Sequence, residues 1–167
     1  MPLGKPMYPA STSPAFEIVL IEPEIPTNTG NIGRTAAATG CPLHVVHPIG
    51  FDMDEKARRR AGLDYWDLIE CSEHASWQDY LATKPSRGWF FSAHGGLPHW
   101  EADFQRGDHL IFGKESSGLD EDVQTALEEH FGADHLLSIP MKGQPKVRSL
   151  NLATAVAIAA YEGLRQL

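Results

Sequence analysis

Arg34 lies in a segment whose residue types could hold an anion and act on it: Glu22 to Thr35, EPEIPTNTGNIGRT, follows an apolar run and opens a helical pattern. Gly30 and Gly33 allow a backbone or a phosphate to come close, Asn28 and Asn31 offer amide donors, and the N–H groups at a helix start favour negative charge. Neither GxGxxG nor GK[ST] occurs, so this is not a dinucleotide fingerprint or a Walker loop. Local physics leaves two readings of about equal weight. One is a ligand loop; the other is a rigid Pro23/Pro26 turn, with Asn28 as helix N-cap and Arg34 a solvated helix residue. A second segment, Ile111 to Leu119 (IFGKESSGL), runs from a strand into a Gly-bounded loop with one carboxylate, Glu115. It suits a pocket wall, and by itself it suits a plain strand-to-helix connection better. The third, Ser138 to Glu162 (SIPMKGQPKVRSLNLATAVAIAAYE), ends a strand at Ile139-Pro140 and gathers Lys142, Lys146 and Arg148 in a loop. Ser149 or Asn151 can then cap an apolar helix.

The elements that must position these segments alternate short β-branched runs with longer helical ones, which predicts an α/β fold with a mostly parallel sheet flanked by helices. Strands are expected at Phe16 to Ile21, Leu43 to His47, Asp67 to Cys71, Trp89 to Ser92, Asp108 to Phe112 and His135 to Ile139, the last closing the sheet. Helices are expected from Asn28 towards Thr39 with Gly40 as a left-handed stop, and at Ser76 to Leu81, Glu121 to His130 and Leu150 to Leu164, with a short polar helix or turn at Lys56 to Arg60. The last helix is apolar or small on nearly every face and should be buried on more than one side. Met1 to Ala15, with four prolines and little apolar surface, reads as a disordered tail, and residues 16–167 as one domain.

Composition narrows the class. In 167 residues, 14 Lys and Arg stand against 22 Asp and Glu, a net charge of −8. The chain has no apolar run near the roughly 20 residues that cross a bilayer, so a membrane protein is not expected. Cys41 and Cys71 form no CxxC, and none of the histidines forms HExxH or a Cys/His cluster, so neither a disulfide framework nor a metal site is expected, and a reducing cytoplasm fits. The acidity argues against indiscriminate nucleic-acid binding. Yet half of the 14 cations fall in two short stretches: Lys56, Arg58, Arg59 and Arg60, then Lys142, Lys146 and Arg148.

Taken together and in order, FxxxLxEPExPxNxGNxxRT, FGxExxGL and IPM…SLNLxxAVxIxxYE resemble the SpoU-type branch of the SPOUT RNA methyltransferases, most nearly the small tRNA wobble-position 2′-O-methyltransferases of cytidine/uridine type. The resemblance covers Phe16 to Leu167, and AGLDYW at Ala61 to Trp66 looks like a further element of that subfamily. It implies a deep C-terminal trefoil knot, S-adenosyl-L-methionine as cofactor, a homodimer, and 2′-O-methylation of the wobble nucleotide of a tRNA such as leucine tRNA. Arg34 matches the family's catalytic arginine. Gly113, Glu115, Ile139, Ser149 and Leu150 match positions around the cofactor, and Phe91 falls where a family residue touches it. Asn28, Asn31, Arg58, Arg59, Arg60, Lys142, Lys146 and Arg148 are the candidate RNA contacts. Between Met141 and Ser149 the loop is about two residues longer and more basic than the subfamily pattern. Two rival readings are the same chemistry on ribosomal RNA and a cofactor- or RNA-binding module without catalysis.

Overall fold

The computed structural model describes residues 13–60 and 66–167, apart from the side chains of Ala57 and Arg60. Its spine is a seven-stranded parallel sheet in the order β3-β2-β1-β6-β4-β7-β5. The strands are β1 (Phe16–Ile21), β2 (Leu43–Val46), β3 (Cys71–His74), β4 (Gly88–Phe91), β5 (Leu97–Pro98), β6 (Asp108–Phe112) and β7 (Leu136–Ser138). The helices are α1 (Pro26–Thr39), α2 (Glu55–Arg60), α3 (Trp77–Ala82), α4 (Glu121–Phe131) and α5 (Leu152–Gln166).

Strand alternation sorts the core into two layers. Phe16, Ile18 and Leu20 of β1 face Ile32 and Ala36 of α1 and Val156, Ala159 and Ala160 of α5. Val19 and Ile21, on the other face, meet Tyr80 of α3 and Val123 and Leu127 of α4. Each fully buried Ile, Leu or Phe contributes roughly 1.5–3 kcal/mol. Helix α5 lies very close to the sheet: a Cβ at Gly163 would sit 2.5 Å from the Phe16 ring.

Several sequence expectations need correcting. Helix α1 begins at Pro26, with Ile25 in the N-cap position, so Asn28 is inside the first turn and caps nothing. Gly40 does stop the helix in the left-handed region, at φ 67. The strand expected at Asp67 to Cys71 is instead β3, a few residues later; Trp66–Leu68 forms a single 3-10 turn. The DLIEC run looked more strand-like than the polar CSEH, but CSEH needs little apolar surface, since it lies at the sheet edge. Strand β7 does not close the sheet, because two-residue β5 pairs outside it. Residues 13–15 of the expected tail are tied down: the Ala15 carbonyl accepts from Gly107 N–H at 2.8 Å, and Ala15 is buried. Residues 1–12 and Ala61 to Tyr65 of the AGLDYW element lie outside the described residues. Helix α5 buries one stripe, Val156, Ala159, Ala160 and Gly163, and leaves Tyr161 56 % exposed.

Candidate functional site

In a parallel sheet, ligands bind at the carboxyl edge where neighbouring strands send their helices to opposite faces. Here that point is between β1 and β6. From β1 the chain enters α1 on one face, and from β6 it enters α4 on the other. The first and second sequence segments are therefore the two loops that meet at this point.

They meet through exchanged carboxylates. Glu115 accepts from the main-chain N–H of Glu24 at 2.7 Å and of Ile25 at 3.0 Å, and from Asn28 Nδ2 at 3.3 Å. In return, Glu24 accepts from the N–H and hydroxyl of Ser116 at 2.8 and 2.9 Å. Those two bonds hold the Glu24 carboxyl below the usual carboxylate range. Glu22 takes a left-handed backbone conformation, φ 53, and pairs with Lys114 at 3.2 Å. Lys114 also reaches Asp120 at 2.7 Å, and these carboxylates raise its pKa. Within the second loop, Lys114 and Gly118 exchange main-chain hydrogen bonds, with Gly118 at φ 70. The approach is so tight that a Cβ at Gly113 would overlap the backbone of Gly118 and Leu119.

The third segment joins the same network. Asn151 donates from Nδ2 to Asn28 Oδ1 at 2.9 Å, and its own Oδ1 caps α5 by accepting from Thr154 N–H. Asn28, only 6 % exposed, thus has both ends of its amide engaged. Sequence reasoning grouped Asn28 with Asn31 as an RNA contact; the structure separates them. Asn31 and Arg34 are one turn apart on the exposed stripe of α1, whereas Asn28 belongs to its buried stripe. Gly33, beside Arg34, is where Trp66 packs: a Cβ there would sit 2.7 Å from the Trp66 ring and 2.9 Å from Ile69.

Strands β6, β4 and β7 are adjacent and parallel, so Gly113, Phe91 and Ile139 come to neighbouring positions at the same edge. The Phe91 ring is committed to the core, stacked on Phe112 with centroids 4.6 Å apart. Ser149 and Leu150 directly precede the Asn151 cap and so lie beside the Glu115–Asn28–Asn151 chain. Lys142, Lys146 and Arg148 are all exposed on the loop after β7. Arg58 and Arg59 are on α2, which follows β2; Arg58 is half-buried, and Arg59 is exposed and pairs with Glu55 at 2.6 Å. The Arg60 side chain lies outside the described residues. Among the described residues no group of His, Cys, Asp and Glu is arranged to hold a metal. Sequence reasoning missed Glu24, Lys114 and Asn151 as organisers of this edge. Only the EPE and GKES runs could have hinted at the exchange.

The sequence profile of the SpoU rRNA Methylase family matches residues 15–161. A Polaromonas protein named tRNA (cytidine(34)-2'-O)-methyltransferase is 48 % identical over 154 residues, 90 % of each chain. A protein of the same name from Escherichia coli is 43 % identical and covers 91 % of this chain and 94 % of its own. Among solved structures, one described as giving insights into the 2-OH methylation of C/U34 on tRNA superposes with a TM-score of 0.78 at 46 % identity, covering 90 % of this chain and 95 % of that one. The SpoU methyltransferase AviRb from Streptomyces viridochromogenes, in complex with AdoMet, gives 0.72 at 26 %, covering 95 % of this chain and 59 % of that one.

Proposed function

The chain belongs to the SpoU rRNA methylase family, and from that premise we propose that it methylates the ribose 2′-oxygen of nucleotide 34, cytidine or uridine, in tRNA, with S-adenosyl-L-methionine as methyl donor. The observation that carries the reading is the Glu115–Asn28–Asn151 chain, which gathers three distant segments at one sheet edge and leaves Asn31 and Arg34 exposed beside it.

The edge fits the cofactor. A nucleoside bearing a charged sulfonium needs main-chain partners at close range, a role we give to the glycine-tight 113–118 loop, the end of β4 and the segment 139–150. We assign Phe91, Gly113, Ile139, Ser149 and Leu150 to its walls; Glu115 acts by fixing the loop. When bound, S-adenosylmethionine supplies an electrophilic methyl group. The protein must then bring the 2′-oxygen in line at roughly 3 Å and ease the loss of its proton. Glu22, Glu24 and Glu115 are engaged in the structure and are poorly placed as bases. A guanidinium is a donor and not a base, so the role we give Arg34 is to clamp the phosphate beside the target ribose and stabilise negative charge developing on the 2′-oxygen.

Lys142, Lys146 and Arg148 are assigned to the RNA backbone next to the site, and Arg58, Arg59 and Arg60 in the α2 segment remain further candidate contacts to RNA. The apolar remainder of α5, including Tyr161, is assigned to a homodimer contact, which gives that face somewhere to bury. We include the trefoil knot in this reading, with residues 139–151, which join β7 to α5, as its crossing segment. It takes residues 16–167 as the catalytic unit and the cytoplasm as the place of action.

One assay tests this. The protein is incubated with labelled S-adenosylmethionine and either total tRNA or ribosomal RNA, and the 2′-O-methyl nucleotide is mapped. Label at tRNA position 34 is the expected result. Label confined to ribosomal RNA overturns the substrate assignment, and no label in either RNA overturns catalysis.

A further inference from the structure

Between the sheet and α3 lie five polar groups that the proposed reaction does not use, four of them in a diagonal row from the amino ends of β1 and β6 to the carboxyl end of β3. Glu17 interrupts the apolar run of β1. His44 on β2 bonds it through Nε2 at 2.6 Å and meets His74 Nε2 of β3 through Nδ1 at 2.9 Å. His109 of β6 lies 3.6 Å from the same Glu17 oxygen, and its Nδ1 meets the hydroxyl of fully buried Tyr80 on α3 at 2.7 Å. The imidazoles stack, His44 on His74 with centroids 5.2 Å apart and His44 on His109 at 5.6 Å.

We propose that Glu17, His44, His74, His109 and Tyr80 form an acid-sensitive latch that fastens β3 and α3, and with them Trp66 just before β3, to the centre of the sheet.

The hydrogen-bond pattern accounts for one carboxylate and no more than one imidazolium. With His109 neutral, its Nε2–H faces Glu17 and its Nδ1 accepts from Tyr80. Protonating His109 would place a hydrogen on both of those nitrogens, so the buried Tyr80 hydroxyl would lose its acceptor. Protonating His74 as well as His44 would bring two like charges into stacked rings beside a single carboxylate. Asp79 of α3 and Asp108 of β6 favour charge on His74 and His109 in part, but Asp79 is bonded to Ser76, Asp108 holds Trp89 and Gln105, His130 of α4 opposes charge on His109, and burial outweighs the two carboxylates. The outer His47–Glu73 pair between β2 and β3, 2.7 Å, has side chains 34 % and 52 % exposed, and such pairs contribute little.

The direction follows from burial. Burial holds His74 and His109 below the ordinary imidazole value of 6.5. The unfolded or opened segment therefore binds more protons as pH falls through that value, and the latch weakens. The Glu17 carboxyl is held below its ordinary 4.5, chiefly by the His44 N–H, so its contribution is present above that value and is lost only at lower pH. Both terms favour closure near neutrality and release in acid. Release would loosen Trp66, which packs on Gly33 next to Arg34.

Hydrogen exchange of the full chain, compared at about pH 7.5 and about pH 5.5 after correction for intrinsic rates, tests the latch without reference to methylation. Peptides from β2, β3 and α3 should exchange about 10-fold faster or more in acid, while peptides from β4 and α5 hold their protection. His74→Gln, which keeps a side-chain amide near His44 but cannot titrate, should reduce that difference while leaving the wild-type protection at neutral pH largely in place. Equal acid sensitivity across the whole sheet, or none in β3 and α3, overturns the proposal. So does an undiminished acid response in His74→Gln. If His74→Gln fails to fold, the regional pattern in the wild-type chain still decides.

Discussion

Asn151 donates a 2.9 Å hydrogen bond to Asn28, 123 positions earlier in the chain. Because Asn28 also donates to Glu115, and Asn151 also caps α5, neither amide can be removed without stranding a partner. Asn28→Ala and Asn151→Ala are each expected to destabilise the protein by about 1–3 kcal/mol, with the double variant falling well short of the sum. Urea unfolding of the two single variants and the double measures this; strict additivity would show that the two asparagines do not act together.

Arg34 is expected to matter for its forked guanidinium. Arg34→Ala and Arg34→Lys should both lower turnover, by roughly 10²–10³-fold for the alanine variant, while S-adenosylmethionine binding measured by calorimetry stays near wild type. Full turnover in Arg34→Lys would leave a point charge as sufficient.

Glu24 supports the second loop from across the switch point. In Glu24→Ala, Ser116 loses both of its bonds to the first loop. The expected kinetic signature is a several-fold rise in KM for S-adenosylmethionine with a smaller change in kcat, partly restored by Glu24→Gln, which keeps an acceptor. A fall in kcat alone would place Glu24 with the RNA instead.

The 142–148 loop should act through charge. Each of Lys142→Gln, Lys146→Gln and Arg148→Gln is expected to weaken tRNA binding and reduce the slope of log affinity against log salt by about 0.7–0.9 if the lost cation meets one phosphate. Filter binding across a salt series reads the slope, and unchanged slopes would remove this loop from the interface.

Gly33 is a packing position. Gly33→Ala would drive a methyl group into the Trp66 ring at 2.7 Å, and a loss of about 1–3 kcal/mol is expected. Thermal unfolding followed by circular dichroism measures it; an unchanged midpoint would mean that Trp66 moves aside freely.

Local patterns were enough where local forces decide. β1 and β6 fall at their expected bounds because β-branched and aromatic runs between polar residues have no other good conformation, and Gly40 stops α1 because a left-handed stop suits glycine. The role of Asn28 was not legible. A residue two positions after a proline looks like an ordinary cap until Glu115 and Asn151 arrive from 87 and 123 positions away. Polar β3 was missed because an edge strand lacks the two-sided apolar signal. The histidine cluster is not legible in the sequence, since His44, His74 and His109 come onto one face, as a staggered diagonal, only through the sheet register.

The span of the Asn28–Asn151 bond also orders events in time. Chains emerge from the ribosome amino end first, and contacts between distant positions are late to form. The Arg34 segment is made early, yet its neighbour Asn28 has no partner until Asn151 is synthesised and α5 docks on α1. The basic, anion-seeking face is thus exposed before the site behind it is built, and the competent enzyme appears only when the final helix has closed over Phe16.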